Sequence, residues 1–206
     1  MTDTDTYDVL VIGGGPAGLS AALNLGRSLM RVLVVDADRP RNAATLNSHG
    51  FLTRDGVAPH ELRRMARDEL AAYPNIEVRT RVRVLELRRS APPADAGADA
   101  GTGSGTDSGT DAGFTASVGR KDPTDVVTAR SVLLATGLRE TLPDVPNLRG
   151  FYGISLFSCA ACDAWELRGR RLALIGETPD LADRARLISR WTESLTVFTL
   201  GADTVT

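Results

Sequence analysis

Six residues, Gly13-Gly14-Gly15-Pro16-Ala17-Gly18, limit more than any other stretch what this chain can fold into. They follow a short β-branched apolar run, Tyr7 to Ile12, and open a segment in which Leu19, Leu23 and Met30 recur near helical spacing, so that a helix is expected over 16–29. A second β-rich run, Arg31 to Val35, then ends in Asp36. Strand, glycine turn, helix and strand make one βαβ unit. In such a unit Gly13 permits the tight turn, Gly15 lets the backbone come close to a pyrophosphate, and Gly18 lets helix and strand pack closely. The helix N-terminus offers unpaired N–H groups to phosphate, and an acid at the end of the second strand is placed for a ribose hydroxyl. A dinucleotide site formed by Gly13, Gly15, Gly18 and Asp36 is the expectation.

The rest of the chain extends this α/β plan. Arg39 to Gly56 is expected to be irregular, Pro59 to Tyr73 an amphipathic helix with Leu62, Met65, Ala66 and Leu70 inward, and Ile76 to Leu87 one alternating strand. From Ala91 to Gly113 the composition falls to Gly, Ala, Asp, Ser, Thr and Pro, which offers almost nothing to bury and predicts a flexible hairpin loop. Short strands are expected at Phe114–Val118, Val126–Thr128 and Ser131–Ala135, the last running into Thr136-Gly137. Prolines between Pro143 and Gly150 read as a connector. A strand at Arg171–Ile175, a helix at Pro179–Arg190 and a strand at Ser194–Thr199 then repeat the nucleotide-binding pattern.

Composition narrows the function classes. Of the formal charge of −2, the tract 91–113 supplies four aspartates and no base, which leaves a nearly balanced body with no electrostatic reason to expect nucleic acid or a membrane surface as partner. Nothing approaches the roughly 18 apolar residues of a membrane span, and the acidic start of the chain is unlike a secretory signal, so a cytoplasmic location is expected. In that compartment Cys159 and Cys162, spaced C-x-x-C, point to catalytic or metal-binding use rather than a purely structural disulfide. Zinc would need about four ligands, and the only histidines, His49 and His60, are far away in sequence; no metal is expected. At a helix start the first cysteine would have its thiolate favoured. Trp165 and Trp191 are assigned to core or interface packing.

The runs Val11-Ile12-Gly13-Gly14-Gly15-Pro16-Ala17-Gly18, Ala135-Thr136-Gly137 and Cys159-Ala160-Ala161-Cys162-Asp163, in that order, resemble the thioredoxin reductase-like, FAD-dependent pyridine nucleotide-disulfide oxidoreductases. The loop Arg41-Asn42 through Ser48-His49-Gly50 to Gly56 looks more like the branch containing dithiol oxidases. The resemblance implies a Rossmann-like FAD-binding domain, a parallel sheet with a small antiparallel meander, over 1–142. The start of a second, inserted dinucleotide-binding domain would follow over 143–206. It also implies that the chain is C-terminally truncated, because family members continue well beyond this length.

By the same resemblance the FAD contacts are Gly13, Gly15, Pro16, Ala17, Gly18, Asp36, Arg41, Asn42, His49, Val82, Thr136 and Gly137, with His49 equally readable as a solvated loop residue. Cys159 would meet the substrate sulfur, Cys162 would face the flavin, and Asp163 would act as acid/base. At the second turn, Gly176-Glu177-Thr178-Pro179-Asp180-Leu181 keeps only the first glycine of G-x-G-x-x-A, which speaks against NADP. The expected activity is oxidation of a small-molecule or protein dithiol to a disulfide, with oxygen or another acceptor. The alternatives are an NADPH-dependent disulfide reductase and a non-catalytic remnant or binding module. A homodimer is the family's usual assembly.

Overall fold

A computed structural model describes residues 6–90 and 113–201. The tract 91–112, for which a flexible loop is expected, lies outside the described residues. Among the described residues no helix is long and apolar enough to cross a membrane. The chain divides into two compact units, Met1–Pro40 with Arg63–Leu138, and Arg41–Leu62 with Arg139–Thr206.

The first unit is built on β1 (Thr6–Ile12), α1 (Pro16–Arg27) and β2 (Val32–Asp36). Its sheet also contains β3 (Ile76–Thr80), β4 (Arg83–Arg89), β5 (Phe114–Gly119) and β6 (Pro123–Leu134), in the order β3-β2-β1-β6-β5-β4. β3, β2, β1 and the end of β6 run parallel, whereas β4, β5 and the start of β6 form an antiparallel meander. This is the Rossmann-like α/β arrangement expected from the sequence.

β2 explains why its sequence is continuously apolar. Val32 and Val34 pack with Val9, Val11, Leu19 and Ala22 beside Leu70, while Leu33 and Val35 pack with Leu10 beside Ala116 and Val118 of the meander. Both faces of the strand are therefore covered, the usual state of a parallel strand between layers. Leu70 ends α2 (Pro59–Leu70), whose Ala66 also packs on that helical side. At ~1.5–3 kcal/mol for each fully buried aliphatic side chain, β2 is among the main contributors to the unit's stability.

Three expectations are corrected. The strand expected over Ile76–Leu87 is two strands at opposite ends of the sheet order, because Arg81 takes a left-handed conformation (φ 60) that turns the chain. The separate strands expected at Val126–Thr128 and Ser131–Ala135 are one, β6, which passes from antiparallel pairing with β5 to parallel pairing with β1. α1 stops at Arg27 rather than Leu29, and left-handed Leu29 (φ 65) releases Met30 from the helix.

In the second unit a 3-10 turn occupies Arg41–Ala44 within the segment expected to be irregular, and another spans Leu148–Phe151. α3 (Ala160–Asp163) is one helical turn. β7 (Leu172–Ile175), α4 (Leu181–Ile188) and β8 (Leu195–Phe198) form a parallel strand–helix–strand unit with buried Leu181.

Candidate functional site

The residues expected to bind a cofactor or carry redox chemistry fall into two groups. Gly13, Gly15, Pro16, Ala17, Gly18, Asp36, Val82, Thr136 and Gly137 lie in the first unit, and Arg41, Asn42, His49, Cys159, Cys162 and Asp163 lie in the second.

In the first unit the chain leaves β1 through Gly13, whose positive φ of 114 suits glycine, and whose missing Cβ would stand 2.2 Å from the Ala135 carbonyl oxygen. That contact brings Ala135 and Thr136, which follow β6, against the glycine turn. A Cβ on Gly18 would stand 1.9 Å from the Gly13 carbonyl oxygen, so this position accepts only glycine at the present spacing. Gly15 differs, since a Cβ there would meet nothing within 4 Å. Its missing side chain leaves open space above the start of α1, where Pro16 occupies the first helical position and needs no N–H partner. At the end of β2, Asp36 is only 8% exposed. Its Oδ1 accepts the Asp38 N–H at 3.0 Å, while the buried Oδ2 has no partner among the described residues. Val82 is tied to the same strand end by its N–H, which donates to the Asp36 carbonyl at 3.1 Å. A buried acceptor without a donor is costly and marks a place where a hydroxyl donor fits. The open cradle over Gly15 and the orphaned oxygen of Asp36 together fit the pyrophosphate and ribose of a dinucleotide.

In the second unit Cys159 and Cys162 are joined in a disulfide, with Cα atoms 5.3 Å apart. Cys159 caps the single turn of α3, and its carbonyl accepts the N–H groups of Cys162 and Asp163, each at 3.2 Å. Both cysteines line a cavity of about 160 Å³ together with Arg41, Asn42, Thr45, Asn47, Ser48, His49, Tyr152, Gly153, Leu156, Phe157, Ser158 and Asp163. The loop carrying His49 is closed by two backbone hydrogen bonds between Ser48 and the Gly56–Val57 side, and by Asp55, which accepts the Gly50 N–H at 2.8 Å. His49 Nδ1 lies 3.6 Å from Asp55 and 3.8 Å from Glu166. Burial pushes the Asp163 carboxyl above the usual carboxylate range; His49 and Arg41 oppose the shift and Glu166 adds to it. A carboxyl that keeps its proton more readily, beside a disulfide, is suited to exchange a proton with a thiol.

Sequence reasoning missed a polar cluster on one wall of this cavity. Glu140 accepts hydrogen bonds from Arg41 and from the Tyr152 hydroxyl. Arg41 also donates to Ser158 Oγ at 3.1 Å, and Tyr152 Oη lies 3.2 Å from the same oxygen. Burial raises the Glu140 pKa, but the hydrogen bonds of Ser158, Tyr152 and Arg41 outweigh it and hold the carboxyl below its ordinary value. Ser48, another missed residue, presents a buried hydroxyl with no partner among the described residues. These residues come from three separate segments and carry no motif. Trp165, expected to pack, is 63% exposed, with the Arg168 guanidinium 4.2 Å from its ring.

The second glycine turn has a different surface. The missing Cβ of Gly176 faces Leu181 Cδ1 at 2.8 Å. Thr178 donates to Asp180 Oδ1 at 2.5 Å, and Asp180 Oδ2 accepts from Arg184 at 2.7 Å. A carboxylate thus stands at the start of α4, where a phosphate would lie.

Residues 7–178 match the model of the pyridine nucleotide-disulphide oxidoreductase family. The chain belongs to that family. It is 32% identical over 197 residues to a protein of Arthroderma benhamiae named a probable thioredoxin reductase, covering 96% of this chain and 44% of that one. It is 34% identical to thioredoxin reductase sirT of Leptosphaeria maculans, covering 81% and 45% of the two chains. Among solved structures it resembles HlmI (34% identity, TM-score 0.82, covering 100% of this chain and 58% of that one). An oxidoreductase from Agrobacterium tumefaciens is similarly close (33% identity, TM-score 0.80, 95% and 58%). This oxidoreductase-family chain therefore spans about half the length of the curated relatives it matches.

Proposed function

We propose that the protein is an FAD-dependent thiol-disulfide oxidoreductase that oxidises a dithiol through Cys159 and Cys162. The observation that carries this reading is the Cys159–Cys162 disulfide lining a cavity beside Asp163. Gly13, Gly15, Gly18 and Asp36 would hold the adenosine and pyrophosphate portion of FAD, and Pro16, Ala17, Arg41, Asn42, His49, Val82, Thr136 and Gly137 are its further proposed contacts. In sequence we assign residues 1–142 to the FAD-binding domain and 143–206 to the second dinucleotide-binding domain.

A substrate thiolate attacks Cys159 Sγ, forms a mixed disulfide and releases Cys162 as a thiolate. The second substrate thiol displaces Cys159, which leaves the product disulfide and a reduced cysteine pair. Asp163 carries protons to and from the sulfurs in these two exchanges. Bound FAD supplies a two-electron acceptor for the reduced pair, and oxygen or another acceptor takes the electrons onward.

The direction rests on the second turn, where Thr178 and the carboxylates of Glu177 and Asp180 oppose a nicotinamide dinucleotide. The names of the relatives favour the reverse reading, an NADPH-dependent disulfide reductase. Anaerobic titration separates them: loss of the yellow flavin absorbance on adding a dithiol and not on adding NADPH is expected, and rapid bleaching by NADPH would overturn the direction. A colourless purified protein with no flavin uptake would instead favour a binding module. The sulfur roles have their own test. Cys159→Ser should give a long-wavelength absorbance band from the Cys162 thiolate beside bound flavin, Cys162→Ser should abolish it, and the opposite result would exchange the roles.

A further inference from the structure

Apart from Arg41, proposed above as an FAD contact, the Glu140 cluster has no part in the reaction as described, yet Arg41, Tyr152 and Ser158 line the cavity that holds both cysteines. Ser158 is the residue before Cys159, and its hydroxyl lies within hydrogen-bond distance of both Arg41 and Tyr152. Arg41 and Tyr152 in turn bond to one carboxylate. Resting on the thiol-disulfide reading above, we infer that Glu140 is a positioning residue. Through Arg41 and Ser158 it fixes the approach to Cys159 and partly neutralises the guanidinium charge that shares a cavity with the exchanging thiol.

The charges make the role directional. Arg41 alone would favour the Cys159 thiolate over the thiol, as any cation nearby does. Glu140, paired with it, weakens that field and keeps the guanidinium fixed beside Ser158. The influence of Arg41 already reaches the neighbouring Asp163, whose shift it opposes. The other titratable groups near the disulfide are Asp163 on α3, Glu166 following it, and His49 with Asp55 from the loop, and none of them is substituted in the comparison below. Removing Glu140 should make Cys159 more acidic, and removing Arg41 should make it less so.

The test uses the full chain, reduced, in a Cys162→Ser background so that Cys159 alone reacts. The rate of iodoacetamide alkylation, followed from about pH 5 to 10, reports its thiolate fraction. Glu140→Gln should lower the midpoint by roughly half a pH unit to one unit, about a threefold to tenfold rise in thiolate below the midpoint, and Arg41→Gln should raise it by a similar amount. Arg41→Lys, which keeps the charge, should stay near the parent. Shifts of the same sign in the two Gln variants, or no shift in either, would overturn the inference. If Glu140→Gln is insoluble, the Arg41 pair decides: equal midpoints for Arg41→Lys and Arg41→Gln would overturn it. No flavin or turnover enters the measurement, so loss of the oxidoreductase reading and loss of this one are distinguishable.

Discussion

The chain makes the same local structure twice, a strand entering a helix through a turn that starts with glycine, and the two copies differ in what faces outward. At Gly13–Gly18 two glycines are required by backbone approach, a third leaves open space, and a buried carboxylate at the end of β2 keeps one oxygen without a partner. At Gly176–Leu181 the strand–helix–strand frame persists, with Leu181 buried, but Thr178, Asp180 and Arg184 bond to one another across the helix start. Packing can therefore preserve the frame after the surface that would meet a phosphate has changed.

The largest effect should come from filling the two turns equally. Gly18→Ala places a carbon 1.9 Å from a backbone oxygen, which side-chain motion cannot relieve, and should cost about 3 kcal/mol or more of stability. Gly176→Ala meets only the end of the Leu181 side chain and should cost less than about 1.5 kcal/mol. Denaturant melts of the two variants measure the difference. Equal losses would mean that the turns are equally constrained and would break the comparison.

A smaller effect separates frame from ligand. Gly15→Ala has a φ of −80 and free space, so its melting curve should match the parent, while FAD affinity should fall at least about tenfold because the new methyl fills the cradle. Thr178→Gly, the reverse change, should gain no measurable NADPH binding while Glu177 and Asp180 remain. Equilibrium titrations of each dinucleotide read both outcomes; a Gly15→Ala protein with full flavin affinity would remove the open cradle from the argument.

How much of this was legible in the sequence follows from how local each feature is. β1, the glycine turn, α1, β2 and Asp36 are contiguous, and each residue type there has one dominant reason to be present. The cysteine pair was legible for the same reason. The turn at Arg81 was not, because an arginine in a left-handed conformation, 3.8 Å from Asp38, has no local signature, and valine–arginine alternation continues across it. The sequence suggests two strands where β6 is one, because its first half pairs with the meander and its second half with β1, and its burial pattern changes along its length. The Glu140 cluster draws on segments around 41, 140 and 152–158, and nothing in Glu, Tyr or Ser taken singly distinguishes them from surface residues.

The smallest effect concerns the carboxylate that occupies the second turn. The Thr178 hydroxyl and then the Arg184 guanidinium hold Asp180 below its ordinary value of 3.8. A depressed carboxylate pKa means that the unfolded chain binds protons more readily, so the contribution is complete above the unfolded value and is lost as pH falls through the folded one. Asp180→Asn should therefore melt slightly below the parent at pH 7, with the gap closing as pH falls below the ordinary carboxylate range. Because the carboxylate is exposed at the surface, the gap should also shrink in molar salt, where the screening length falls to about 3 Å. Thermal melts at two pH values and two salt concentrations measure it. A gap that persists at low pH and high salt would show that Asp180 supports α4 by something other than charge, and that the second turn is held by its own side chains as firmly as the first is held by its glycines.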